Sequence, residues 1–261
     1  MTKIRYKKIE SWQDEALQQL NLFIHTSHPE NLHEARVMMK KILASAKLHS
    51  HITGKRNSCF KEWKTISSLA GEVRLTGIIN KLLFHYPSLG DLKISEKVIA
   101  GRMRALQKRF IKSRKFLEES RMELSATMKK IDTKDLVKFL NNQLPKSVEC
   151  INTPPETTGW HKSRIHLKRV MYLSSLLTTK QYFGLKVDVR HPFFDQLQEE
   201  LGQWHDLTDL RQHIITGKLT SSRKRKLVLL MNPILLKKEK RIQRQWKKIT
   251  NSGLVSEFDE S

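Results

Sequence analysis

Two short stretches place residues that could do chemistry in the same order, "HEARVMMKK" at 33–41 and "HKSRIHLKR" at 161–169. In each, a histidine is followed by an arginine three residues on and then by two adjacent cations: His33, Arg36, Lys40 and Lys41, then His161, Arg164, Lys168 and Arg169. On a helix, at about 100° per residue, the histidine, the arginine and the first of the two cations share one narrow stripe. Lys41 and Arg169 sit on its flank, and Lys47 extends the first copy. Met38, Met39, Ile42 and Ala46 face the other way in the first copy, as do Leu167, Val170, Leu173 and Leu177 in the second. Each helix thus has one side for a core and one for an anion. Guanidinium and ammonium groups bind phosphate-type oxygens, and an imidazole adds a donor whose charge depends on pH.

The two copies align without gaps at an offset of 128 residues (161 − 33). A second pair follows, "LAGEVRLTGII" (69–79) and "ELGQWHDLTDL" (200–210), which sets Gly71 over Gly202 at an offset of 131 and Arg74 over His205. A third, "LQKRFIKSRKF" (106–116) and "KEKRIQRQWKK" (238–248), is offset by 132. Three matches in one order with slowly drifting offsets imply an internal duplication. The third pair repeats the two-faced design. Arg104, Lys108, Lys112 and Lys115 share one face of their helix, with Met103, Leu106, Phe110 and Leu117 on another. In the last helix Lys237, Arg241, Arg244 and Lys248 lie opposite Leu235, Ile242, Trp246 and Ile249. Solvated helices normally interleave Glu with Lys, whereas these stripes hold almost no acid, which points to an anionic partner.

The elements that position these residues are helices. Apolar residues recur at three- and four-residue spacing, alternating strand patterns are nearly absent, and Gly (10) and Pro (7) are scarce among 261 residues. The spacing predicts helices at about 8–26, 31–51, 57–86, 94–130, 134–143, 157–183, 193–216 and 222–250. "TSHPEN" (26–31), "YPSLGD" (86–91) and "INTPPETTGW" (151–160) read as breaks, and Asn232 with Pro233 as a cap that restarts a helix. The organisation expected is one domain over 1–250, built of two repeats at about 8–130 and 134–250. An acidic flexible tail would follow at 251–261.

Composition narrows the function. Lys and Arg number 49 against 26 Asp and Glu, a net charge of +23, which favours a polyanion such as nucleic acid, an anionic surface or polyphosphate. Cys59 and Cys150 form no metal spacing or disulfide framework and read as ordinary buried thiols of a reducing compartment. The N-terminus lacks the apolar core of a secretory signal. The longest apolar run, "LVLLMNPILL" at 227–236, is too short to span a bilayer. A soluble cytoplasmic protein without a membrane partner is therefore expected. Among the 11 histidines only His49 and His51 are closely paired, and HExxH, G-x-S-x-G and P-loop patterns are missing. The expectation is no metal, no cofactor and no enzymatic activity. Asp206 and Asp209 read as orienting groups for neighbouring cations, with Arg74 and His205 contacting the anion or pairing with Glu72 or Asp206.

The two His-x-x-Arg-x-x-x-basic-basic helices, each followed by a Gly-containing "LAGE" or "ELGQ" helix, resemble the CHAD (conserved histidine α-helical domain) family over roughly 14–250. That resemblance implies an all-α fold of two pseudo-symmetric four-helix bundles around a basic central groove or pore. It also implies binding of inorganic polyphosphate there, and it admits association with polyphosphate granules. The family is often joined to a CYTH-type triphosphatase domain, whose Glu-x-Glu-x-Lys signature is missing from this sequence, so a stand-alone binding module is expected. The chain departs from the family pattern in Arg74-Leu75 and His205-Asp206, where Arg-Asp is favoured, and in Lys40-Lys41, where arginine pairs are common. Lysine lacks the guanidinium fork, so bidentate phosphate contacts are lost there. Nucleic acid is the second candidate partner. Single strands call for aromatic stacking platforms, and aromatics make up only 7% of this chain.

Overall fold

The computed structural model describes residues 3–84, 93–151, 159–178, 185, 190–217 and 220–251, with the side chains at 82, 145 and 147–151 left aside. The described residues form helices α1 (Lys7–Thr26), α2 (Pro29–Thr53), α3 (Phe60–Phe84), α4 (Glu96–Glu119), α5 (Arg121–Met128), α6 (Thr133–Ile151), α7 (Gly159–Ser174), α8 (Pro192–Thr216) and α9 (Ser221–Asn251). One isolated antiparallel bridge joins Lys3 and Asp132, and no strand occurs among the described residues. The fold is all-α, as expected. The "YPSLGD" and "INTPPETTGW" breaks fall largely or wholly outside the described residues. So do the expected helix ends at 86 and 183, the expected start at 157 and the acidic tail.

Two compact units divide the chain. Unit 1 holds Met1–Ile78, Ile94–Phe139 and Tyr172–Tyr182, and unit 2 holds Ile79–Lys93, Leu140–Met171 and Phe183–Ser261. In unit 1, α1 packs on α2. The buried Ile9, Trp12, Ala16, Leu20 and Phe23 of α1 recur at the three- and four-residue spacing of a single helix face. On α2 the buried set includes Leu32, Ala35, Met39, Ile42 and Ala46, which is the face opposite the His33–Arg36–Lys40 stripe. In unit 2, α8 and α9 pack together. Phe194, Leu197, Leu201, Trp204 and Leu207 are buried from α8, and Leu227, Met231, Leu235, Ile242 and Ile249 from α9.

Three predicted boundaries differ from those observed. The helix expected over 94–130 is broken at Ser120. The Ser120 hydroxyl donates back to the Leu117 carbonyl, and its own carbonyl accepts a tight three-residue bond from the Glu123 N–H. Arg121 to Asp14 and Ser125 to Glu10 then tie α5 to α1. The helix expected over 157–183 stops at Ser174. There the Ser175 hydroxyl donates to the Tyr172 carbonyl. The Ser175 and Leu176 carbonyls are taken by Lys8 Nζ and the Arg5 N–H, partners from the N-terminal segment that no local pattern reveals. The helix expected to end at 143 continues as α6 to Ile151. Finally, Asn232-Pro233 does not restart a helix, because α9 runs through it. The hydrogen bond Pro233 cannot make would have ended on the carbonyl of Leu229, and both residues lie on the exposed side of α9.

Candidate functional site: two arginine-over-glycine clamps and two exposed basic helix faces

The duplicated stripe divides into side chains that fold back onto the protein and side chains that stay in solvent. Arg36, expected to point away from the core, instead lies over α3. Its Nη1 donates to the Ser67 carbonyl at 3.1 Å, and an added Cβ on Gly71 would meet that same Nη1 at 2.7 Å. In unit 2 the arrangement recurs more loosely. A Cβ on Gly202 would lie 3.8 Å from Arg164 Nη2 and 3.9 Å from its Nε. The Nε atoms of both arginines are buried. The glycines paired by the repeat thus leave room for the arginines paired by the repeat, a link between α2 and α3 in one unit and between α7 and α8 in the other.

The flanking cations also turn inward. Lys41 Nζ lies 5.7 Å from the centroid of the Trp12 ring on α1, and burial holds its pKa below the ordinary lysine value. At the equivalent place Arg169 donates through Nη1 to Gln143 Oε1 on α6 at 2.7 Å, and burial lowers its pKa too. His166 Nδ1 lies 3.0 Å from the same oxygen. Gln143 was not singled out from the sequence, since one buried glutamine among helical residues gives no motif. Lys40 and Lys168 are half-buried, and Lys47 is exposed.

His33 and His161 each face the residue that follows the glycine by three. For His161 this is His205, stacked on it at 4.7 Å between centroids with planes 27° apart. His205, expected to contact the anion or pair with Asp206, has Nδ1 paired with Asp209 Oδ2 at 3.2 Å, because i,i+4 side chains meet on a helix and neighbours diverge. The residues just before these histidines pair as well: the Trp160 and Trp204 rings lie 5.3 Å apart, and Trp204 Nε1 donates to Glu239 on α9 at 3.3 Å. The equivalent residues of unit 1, Leu32 and Val73, are buried as well. Both histidines titrate below the ordinary imidazole value of 6.5. For His161 the largest cause is partial desolvation, then His205 and Arg164, opposed by Asp209. For His33 it is desolvation, then Arg74 and more weakly Lys40, opposed by Glu30 and Glu34. Both are therefore neutral at pH 7 in the free protein.

Among the described residues, two groups each bring possible metal-ligand atoms within 4.8 Å of one another, Glu30, His33 and Glu34 in unit 1 and His205, Asp206 and Asp209 in unit 2. Helical spacing alone could have flagged them. The closest histidine pair in the sequence, His49 and His51, is no such group. His49 is buried and His51 packs on Phe139 at 5.0 Å.

The third matched pair behaves differently from the first. On α4, Arg109 is held by both oxygens of Glu62, at 2.5 and 2.6 Å, and Ser113 donates to the same carboxylate at 2.7 Å. Arg104, Lys108 and Lys112 stay exposed and make no ion pair among the described residues. Lys115 approaches Glu119 only at 3.9 Å. On α9, Lys238 is taken by Glu200 at 2.8 Å, whereas Lys237, Arg241, Arg244 and Lys248 are exposed without an ion pair among the described residues. Such cations offer unneutralised charge to a polyanion without first breaking an internal contact.

The all-α architecture is CHAD-like. The crystal structure of the CHAD domain from the plant Ricinus communis superimposes with a TM-score of 0.66 at 15% identity, covering 97% of this chain and 92% of that one. PptA from Streptomyces chartreusis superimposes at a TM-score of 0.58 and 15% identity, over 94% of this chain and 100% of its own. By sequence, no family model and no curated protein matches the chain.

Proposed function

We propose that the chain binds inorganic polyphosphate without transforming it, through the exposed basic faces of α4 and α9. The observation that supports this reading most is the sorting of the cations. Arg36, Lys41, Arg109, Arg169 and Lys238 are engaged by other parts of the protein. Arg104, Lys108 and Lys112, with Lys237, Arg241 and Arg244, remain in solvent and make no ion pair among the described residues. Like charges spaced i,i+4 cost a helix a few tenths of a kcal/mol per pair, a cost that a bound polyanion offsets. His33 and His161 add contacts that strengthen when a phosphate draws a proton onto their imidazoles, and Arg74 and His205 add contacts beside them. Lys40 and Lys168 lie on the same stripes beside them.

A flexible chain with about one charge per phosphate needs only point-charge contacts and releases counterions as it binds. A single-stranded nucleic acid reader would also need stacking rings, and the Arg104–Lys108–Lys112 face carries none. Titration with long-chain polyphosphate, tripolyphosphate and an oligonucleotide tests the reading. Affinity should rise with polyphosphate length, and polyphosphate should displace the oligonucleotide at equal phosphate concentration. Equal affinity for the trimer and the long chain would overturn the extended contact. Phosphate release from polyphosphate by the purified protein with divalent metal would overturn the non-catalytic assignment.

A further inference from the structure

Polyphosphate binding leaves one surface of α9 unexplained, because a phosphate chain has no use for exposed leucines. Leu229, Leu230 and Leu236 are 61%, 49% and 51% exposed, and Pro233 beside them is exposed too. At about 100° per residue, Leu229, Pro233 and Leu236 fall within about 60° of one another, on the side away from Leu227, Met231, Leu235 and Ile242, which pack into unit 2. Cations surround this strip. Arg225 and Lys226 precede it, and Lys237, Lys240, Arg244 and Lys247 follow on the same outward side, all exposed. The only acid of α9, Glu239, is half-buried and accepts from Trp204 on α8.

We propose that this face of α9 docks on an anionic phospholipid surface, with the leucines entering the headgroup–acyl boundary and the flanking cations meeting lipid phosphates. No helix among the described residues is long and apolar enough to cross a membrane, and this docking needs no crossing. The charge pattern selects the occupant. A second copy of a chain with net charge +23 would bring cations against cations around the strip. Nucleic acid and free polyphosphate would pair with the cations and leave the leucines in water. An anionic bilayer satisfies both parts, since an apolar strip within a basic helix face is the pattern of interfacial helices. The stretch 227–236 is too short to span a bilayer, and an interfacial helix needs no span.

Co-flotation with phosphatidylcholine vesicles, and with vesicles containing an equal part of phosphatidylglycerol, in about 0.1 M salt, tests the docking with no polyphosphate present. The wild-type chain should float with the anionic vesicles and not with the neutral ones. Leu229→Ser, Leu230→Ser and Leu236→Ser combined should weaken vesicle binding at least ~10-fold and leave polyphosphate affinity and helical content unchanged. Neutralising Lys240 alone should weaken vesicle binding about fivefold, the equivalent of about 1 kcal/mol per surface cation. A polarity-sensitive dye on Leu229→Cys should shift to the blue with anionic vesicles, a readout independent of how the triple variant folds. Wild-type flotation by the triple variant, no binding of the wild type to anionic vesicles, or an unshifted dye would each overturn the proposal. So would a wild-type dimer that the triple variant converts to monomer, because a second copy would then cover the strip.

Discussion

Gly71→Ala and Gly202→Ala add the same methyl group at equivalent points of the repeat, and the geometry gives them opposite signs. On Gly202 the new Cβ would lie 3.8 Å from Arg164 Nη2 and from Gln198 Nε2, ordinary van der Waals contact. Only helix propensity then acts, and alanine is worth about 0.8–1.0 kcal/mol over glycine in a helix interior. On Gly71 the Cβ would lie 2.7 Å from Arg36 Nη1, so the guanidinium must leave the Ser67 carbonyl that it holds at 3.1 Å. A hydrogen bond from a charged group is worth about 1.5–3 kcal/mol net. Set against the gain in propensity, Gly71→Ala should cost about 0.5–2 kcal/mol. At about 2–4 °C per kcal/mol for a chain of this size, thermal unfolding should rise by a few degrees for Gly202→Ala and fall by a few for Gly71→Ala. A double-mutant cycle sharpens the test. Arg36→Ala should cost less in the Gly71→Ala background than in the wild type, because the contact it removes is already lost. Equal stabilisation by the two glycine substitutions, or an additive cycle, would refute the seating of Arg36 on Gly71.

Polyphosphate affinity should tighten as pH falls. His33 and His161 have lowered pKa values in the free protein and regain them beside phosphate, so the bound state takes up protons. The gain begins as pH falls through the bound-state pKa, levels off below the free-state pKa, and reaches at most about tenfold per pH unit for each histidine. Isothermal titration at several pH values should show it, and His33→Asn with His161→Asn should flatten it. Glu62→Gln should lower thermal stability by about 1–3 kcal/mol through loss of the charged contact to Arg109, yet raise polyphosphate affinity, because a cation on α4 is released. Cys59 is buried, and that burial pushes its thiol up to about 11 from 9.0. Its contribution is intact below about pH 9 and is lost as pH rises towards 11, by at most about 2–3 kcal/mol. Urea unfolding of Cys59→Ala should lack that alkaline slope relative to the wild type.

The helical core was legible because it is written in helical spacing. Leu167, Val170 and Leu173 are buried on the side opposite His161, Arg164 and Lys168, as the pattern requires. What spacing could not give was the direction of a long side chain once a neighbouring helix is present. A helical wheel puts Arg36 on the outside, but its stem lets the guanidinium fold back where Gly71 leaves space on α3. Lys41 and Arg169 turn inward because Trp12 and Gln143 await them on α1 and α6, contacts set by tertiary packing alone. The break at Ser120 and the end of α7 at Ser174 depend likewise on hydroxyls and N-terminal donors that apolar periodicity does not register. Reversing Arg36 and Arg164 would disturb helix contacts along with charge, so the exposed cations of α4 and α9 are the cleaner probes of anion binding.

The most direct test is the salt dependence of polyphosphate binding in a chain with Arg104, Lys108, Lys112, Lys237, Arg241 and Arg244 all replaced by Gln. These residues are exposed and make no ion pair among the described residues, so circular dichroism should stay that of the wild type. By analogy with single-stranded nucleic acids, each phosphate contact contributes about 0.7 to the slope of log K against log salt concentration. Losing six should make the slope shallower by about 4, with affinity falling several orders of magnitude at low salt. An unchanged slope in a folded variant would contradict polyphosphate binding by these two helix faces.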